Sequence, residues 1–292
     1  MPHTTRPPIL DITEFVPDLA AHARTAVRLH PRRGNPAAVD SHIGGPLLWP
    51  SEEPWPHCHE PHEPYDRPGP ADKTPVAMVP IAQLHAADVP GFPFPQGTDL
   101  LQILWCPNHF ATITEAAICV RWRRSAGIAD ILTDPPAPHV TEDGMVPVPC
   151  VLDPEPITEY PWHEELPRET RDALKAWEGD YPAYQYGLSI ASGCKMGGGM
   201  SWPVTDMGKP PACDSCGSPA HLILQLDSTE WDGASDHEGG PPRWRPVEDA
   251  ELDVDASLAA SEPTGLIIGR YSHGGFFGCS TDHRHPVTFH MQ

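Results

Sequence analysis

The chain has no run of about 18 apolar residues, the minimum for a membrane-crossing helix, so the sequence predicts no such helix. Its opening residues, Met1-Pro-His-Thr-Thr-Arg-Pro-Pro8, lack the apolar centre of a secretory signal, and a cytoplasmic protein is expected. Positive charge is scarce: 19 Lys and Arg stand against 40 Asp and Glu, a formal charge of −21. A field of that sign repels nucleic-acid phosphates and attracts basic partners, so direct nucleic-acid binding is not expected. No G-x-S-x-G elbow, P-loop or kinase signature occurs. In a reducing compartment the 8 cysteines are expected as free thiols or metal ligands rather than disulfides.

What is abundant is proline, 39 in 292 residues, which predicts short elements joined by stiff loops and few long helices. Apolar residues make up 39%, enough to fill the core of one large domain or of two closely packed halves.

One pattern occurs twice. Ile43-Gly44-Gly45-Pro46-Leu47-Leu48-Trp49-Pro50 returns as Met196-Gly197-Gly198-Gly199-Met200-Ser201-Trp202-Pro203. The landmarks that follow keep their order: Cys58, an apolar run ending in Gln83-Leu84 and then Cys106, against Cys213, a run ending in Gln225-Leu226 and then Cys279. The chain therefore reads as an internal duplication. Each glycine pair is expected to form a turn with positive φ, and each Trp-Pro to press a ring on the core. A phosphate cradle is disfavoured, because no Lys-Ser/Thr and no helix pattern follows either pair.

Along the chain, residues 1–10 are expected to be disordered. Asp11-Ile-Thr-Glu14 has the form of a capping box, and Phe15, Leu19, Ala23 and Val27 recur at helical spacing, with Pro17 as a possible first-turn residue. Strands are expected at 76–84, 100–105, 117–123, 150–160 and 222–226, and along 266–278, and a helix over 164–179. The boundaries that follow are 1–135 for a first repeat with an N-terminal helix, 136–183 for a Pro-rich linker, strand and helix, and 184–292 for a second repeat. The second repeat carries an acidic insert, 229–263, whose Asp, Glu, Gly and Ser content predicts a mobile loop.

The strongest chemical signal is Cys213-Asp-Ser-Cys216-Gly217, a turn that converges two thiolates on one tetrahedral ion. Cys279 and His283 supply a second pair, with His285 competing with His283. A thiolate-rich set with one imidazole selects zinc over calcium or magnesium. The first half offers a parallel set, Cys58 and His62 with Cys106 and His109, so Zn2+ is expected in the second repeat and is open for the first. His163-Glu-Glu165 with the later C-x-x-C is similar to a zinc-deaminase signature but fails in detail, since Pro211 is not adjacent to Cys213. Cys119 and Cys150 read as core residues, and Cys194 as a small residue before a tight turn.

With these residues in view, the chain resembles the YwqG-like bacterial proteins, in particular an actinobacterial branch. The resemblance spans most of the sequence. It rests on Gly44-Gly45-Pro46 with Trp49-Pro50, Met78 to Leu84 followed by Asp88-Val-Pro90, Leu101 to Pro107, Pro149 to Leu152, Lys195 to Trp202, and Cys213-x-x-Cys216-Gly217 with Leu224 to Ser228. An aspartate-containing turn usual in that family is replaced by Gly269 to Gly275. The resemblance implies an α+β fold of internally duplicated, mostly antiparallel β-sheets with a few short helices. It also implies a remote relation to programmed-cell-death-2-like proteins, which look like chaperones for a basic ribosomal protein. Two functions stay open at this point: a zinc-stabilised, non-enzymatic binding or chaperone-like module for a basic protein or peptide, and a metal- or cysteine-dependent enzyme acting on a small molecule or peptide. The second is suggested by surplus histidines at 57, 59, 62, 109, 273, 285 and 290. Neither expects a membrane partner.

Overall fold

In the computed structural model of the chain, which describes residues 2–62, 71–108, 114–178, 184–205, 211–231 and 242–292, the aliphatic runs become strands. In chain order these are β1 (Arg24–Arg28), β2 (Arg32–Arg33), β3 (His42–Ile43), β4 (His57–Cys58), β5 (Val76–Ala77), β6 (Val79–His85) and β7 (Leu100–Trp105). They continue as β8 (Ile118–Arg123), β9 (Cys150–Val151), β10 (Glu155–Glu159), β11 (Lys195–Gly197), β12 (Ala220–Asp227), β13 (His273–Cys279) and β14 (Thr288–Met291). Two α-helices accompany them, α1 (Arg168–Glu178) and α2 (Val254–Ser261). The fold is α+β with antiparallel sheets and a few short helices. Among the described residues no helix is long and apolar enough to cross a membrane.

One six-stranded sheet has the order β2-β9-β3-β6-β7-β8 and the other β10-β1-β11-β12-β13-β14, with β4 and β5 forming a small ribbon. A single core joins the two large sheets: Ile43, Ile81, Ile103 and Trp105 of the first pack in one cluster with Val27, Ile223, Leu224 and Phe276 of the second. Strands covered on both faces need no polar alternation, and β7 and β13 are buried at every position. The polar exception in β7 is satisfied internally, for Gln102 Nε2 donates to Leu48 O at 2.9 Å and to Gln83 Oε1 at 2.8 Å.

The two sheets share one sequence of neighbours. An edge strand is followed by an inserted strand, then the strand entering a glycine turn, then a three-strand meander. The inserted strands come from the other half of the chain: β9 lies between β2 and β3, and β1 lies between β10 and β11. The register matches too. A bulge between Pro80 and Ala82 in β6 has its counterpart between Leu222 and Leu224 in β12, two residues before Gln83 and Gln225 respectively are reached in both pairings. Division of the chain at 135 and 183 therefore does not coincide with sheet membership, because β1 and β9 each sit among strands of the other segment.

Three sequence expectations are corrected. The N-terminal stretch expected to be disordered is anchored at residues 3–5: the Thr5 hydroxyl donates to Glu155 Oε2 at 2.5 Å, the His3 amide bonds Asp153, and Val247 N donates to Thr4 O at 2.9 Å. Asp11 does cap, accepting from Thr13 N at 2.9 Å, but it opens a 3-10 turn, Ile12–Glu14, a second 3-10 turn follows at Pro17–His22, and Ala26 and Val27 belong to β1. Pro17 cannot donate to a continuing helix, and β-branched Thr25 and Val27 suit an extended chain. The third is the acidic insert, of which residues 229–231 and 242–263 are described. There Trp244 is buried beneath the guanidinium of Arg243 at 4.2 Å, Arg32 pairs with Asp249, and α2 begins at the Asp253 cap. In addition, α1 starts at Arg168, just after Pro167, with Thr170 and Leu174 turned inward while Ala173 stays exposed.

Candidate metal centres

The second cluster is assembled by two turns at one end of the β12–β13 pair. Cys213 N donates to Ser218 O at 2.8 Å and Gly217 N returns to Cys213 O at 2.7 Å, closing the C-x-x-C turn. Gly217 takes φ +74°, the left-handed conformation that such a closure favours in glycine. Pairing of Ala220 with Cys279 then sets the last residue of β13 against this turn. Cys216 Sγ lies 3.5 Å from Cys279 Sγ, and His285 Nδ1 lies 3.5 Å from Cys213 Sγ. All four ligand atoms fall within 4.8 Å of one another. A tetrahedron with metal–sulfur bonds of about 2.3 Å has edges of about 3.8 Å, so the spacing suits one ion.

Second-layer donors prepare the thiolates. The Thr281 hydroxyl lies 3.1 Å from Cys279 Sγ and its amide donates to the same sulfur at 3.5 Å; these bonds bring the Cys279 thiol down to about 5. Ser218 donors lower Cys216, whereas desolvation raises Cys213. Contact with Cys279 raises the pKa of His285.

Of the two histidines the sequence offers, His285 joins the cluster and His283 does not, which corrects the expected ligand set. The cause is local. Asp282 accepts from Arg284 N at 3.0 Å and from its guanidinium at 2.7 and 2.9 Å, and His285 N donates to Asp282 O at 3.1 Å. That turn folds residue 285 back over the sulfurs and leaves His283 exposed.

The first cluster joins Cys58, His62 and Cys106, all buried and within 4.8 Å of one another. Cys58 is placed by pairing with Val76, His62 by its amide donating to Asp72 O at 2.8 Å, and Cys106 by its amide donating to Ala117 O at 2.8 Å after β7 ends. His62 Nε2 stands 3.2 Å from Cys106 Sγ. Hydrogen bonding with Cys58 and burial push the Cys106 thiol up. His109, the other expected ligand, lies outside the described residues. The two clusters occupy corresponding places, since Cys106 follows by four residues the partner of Gln83, and Cys279 follows by four the partner of Gln225. Each could hold a metal ion.

The remaining cysteines offer no activated nucleophile. Burial raises Cys119, brings Cys150 up to about 12 and raises Cys194 well above the ordinary thiol value. His163 contacts its neighbour Glu164 at 3.1 Å, and Glu165 pairs with Arg24 at 2.7 Å, so the deaminase-like triplet stands apart from both clusters. Two of the surplus histidines are otherwise engaged: His273 Nε2 lies 3.0 Å from Ser201 O, and the His290 ring meets Trp202 edge-on.

Sequence reasoning missed a buried polar network behind the second glycine turn. Lys195 Nζ bonds Glu159 and donates to Gly199 O at 2.7 Å, Glu159 also accepts from Ala191 N at 2.8 Å, and Arg28 and Glu230 are buried nearby. The available signal was a charge inside an apolar strand, as in Thr25-Ala-Val-Arg28-Leu29. Fold and clusters together define a class: an α+β protein of two antiparallel sheets carrying a Cys/His cluster beside each. Comparison with family models and with curated proteins finds no match to this chain.

Proposed function

We propose that the chain is a zinc-stabilised, non-enzymatic binding module for a basic protein or peptide. The observation that carries this reading is the second cluster, in which three sulfurs and His285 Nδ1 fall within 4.8 Å of one another. A soft thiolate set with one imidazole favours zinc. Four protein ligands complete its tetrahedron and leave no position for a substrate, the mark of a structural rather than a catalytic site. Zinc held this way contributes on the order of 10 kcal/mol of apparent binding free energy in small domains, here tying the C-x-x-C turn to the segment after β13. Zinc in the first cluster would use Cys58, His62 and Cys106, with His109 as the fourth ligand. The formal charge of −21 supports a basic partner, and reduced thiols at both clusters suit the cytoplasm. Shared strand order and bulge position support descent by duplication, in keeping with membership of the YwqG-like proteins.

Metal content per chain tests the reading. Two zinc equivalents, falling to one in Cys216→Ser and to one in Cys106→Ser, are expected. Absence of bound zinc from the wild type overturns the central claim, and a low-salt pull-down that recovers no basic protein overturns the partner half.

A further inference from the structure

We infer that a groove at the junction of the two sheets is where an extended basic segment docks, inserting one apolar side chain, and that metal in the second cluster holds one wall of that groove in place. The inference rests on the proposed function and adds the site, the ligand chemistry and the coupling between them.

The groove has a volume of about 510 Å³, within the roughly 300–1,000 Å³ of small-ligand sites. Its floor is bare backbone at Gly197 and Gly198, both with positive φ, at +66° and +68°. A Cβ on Gly197 would stand 3.3 Å from the Phe92 ring, and one on Gly198 would stand 2.8 Å from Ala26 Cβ, so the floor stays free of side chains. One flank is aromatic. Phe92 and Trp122 lie nearly parallel, 6° apart with centroids at 6.5 Å, and Phe94 meets Trp122 edge-on at 5.3 Å. The opposite wall is the chain from Cys279 to His283, which is part of the link between two members of the cluster, Cys279 and His285. Tying both ends of that link to one ion fixes the wall.

The groove carries little charge of its own, so the field of the whole chain selects the occupant. No Lys or Arg lines it, its one carboxylate, Asp282, is held by Arg284 at 2.7 Å, and burial keeps His221 neutral by lowering its pKa. A phosphate finds no counter-charge there. A Lys or Arg beside the inserted side chain finds aromatic faces and the attraction of a chain with charge −21. At the corresponding position in the other sheet, backbone covers the glycine, for a Cβ on Gly44 would stand 2.8 Å from Pro147 O, whereas one on Gly197 would meet the Phe92 ring at 3.3 Å. Gly197 lines the groove and Gly44 does not.

The test uses the full metal-loaded chain and three fluorescein-labelled heptapeptides followed by anisotropy at low salt: lysines around a central leucine, lysines around a central glycine, and glutamates around a central leucine. The lysine–leucine peptide is expected to bind at least about tenfold tighter than either of the others. Thr25→Trp, which fills the groove from an exposed rim position, should weaken it about tenfold with zinc content and melting temperature unchanged, and Trp122→Ala, which also gives up its contacts with Phe92 and Phe94, should weaken it about tenfold with zinc content unchanged. Cys216→Ser, which alters a residue outside the groove lining, should lose one zinc and weaken the peptide by a similar factor. Binding that ignores the central residue, Thr25→Trp or Cys216→Ser overturns the groove assignment while leaving a basic-segment binder standing. Failure of the wild type, with its zinc in place, to bind any lysine peptide overturns the groove and the binding-module reading together.

Discussion

Glu230 is a carboxyl placed where water does not reach, and replacing it by glutamine should stabilise the protein in a pH-dependent way. The side chain is 1% exposed; Oε1 accepts from Cys194 N at 3.0 Å, while Oε2 has no hydrogen-bond partner among the described residues. Burial pushes its pKa from 4.5 up to about 7, against a weaker opposing pull from Arg28. Between those two values the folded state keeps a proton that the unfolded state has released. Stability therefore falls as pH rises through this window, and the loss is complete above about pH 7. Integrating the two titrations gives a loss of about 2.5 kcal/mol between pH 5 and pH 8. Glu230→Gln keeps an acceptor for Cys194 N and removes the titration. The variant should match the wild type within about 1 kcal/mol at pH 5 and exceed it by about 2–3 kcal/mol at pH 8, or roughly 3–5 °C in melting temperature. Urea unfolding of both proteins at several pH values gives the difference curve, in which titrations common to the two cancel. A flat curve, or a variant less stable than the wild type at pH 8, would show that Arg28 and the surrounding dipoles already hold this carboxylate ionised, and the argument from desolvation would fail.

Two further outcomes follow from the same region and its counterpart. Lys195 and Glu159 are both fully buried, so Lys195→Met should cost about 3–5 kcal/mol in urea unfolding, and the double variant with Glu159→Gln should recover part of it; a loss below about 1 kcal/mol would mean the pair is not uniquely matched. Gly217→Ala, at φ +74° with nothing within 4 Å of the added methyl, should cost about 1 kcal/mol by calorimetry, whereas Gly44→Ala, at φ +69° and 2.8 Å from Pro147 O, should cost clearly more; equal losses would refute the close-approach argument.

What the sequence discloses and what it hides divide along the range of the interactions involved. The strand at 100–105 is legible because five of its six residues, all but Gln102, are apolar, and it forms with those bounds. Cys58, Cys106, Cys213, Cys216 and Cys279 are legible because repeated landmarks set their register, and the structure gathers them with His62 and His285 into two groups. The identity of the last ligand was not legible, since His283 and His285 differ only by the turn that Asp282 makes with Arg284. Order in residues 3–5 and 242–263 was hidden for a different reason. Their composition lacks apolar surface, and they are held by a few distant anchors, Thr5 on Glu155, Arg32 on Asp249 and Trp244 beside Arg28. No local pattern encodes such contacts.

The least legible feature is also the one that gives the two glycine turns different chemistry. Sequence treats Gly44-Gly45 and Gly197-Gly198 as equals, and the backbone agrees at the first glycine, with φ of +69° at Gly44 and +66° at Gly197, but not at the second, where Gly198 at +68° has positive φ and Gly45 does not. Their surroundings differ because strands change places: β9 enters the first sheet beside β3, and the chain leading into it, Pro147 and Val148, covers Gly44. The strand beside Gly197 is β1, and the chain leading into β1 comes from the 3-10 turn ending at His22 and leaves Gly197 lining the groove beside the Phe92 ring. A repeated motif thus becomes a floor on one side and a buried joint on the other. The asymmetry arises from what precedes the exchanged strands, not from the motif, so grafting the 145–148 segment ahead of β1 is the change that should close the groove while leaving both turns intact.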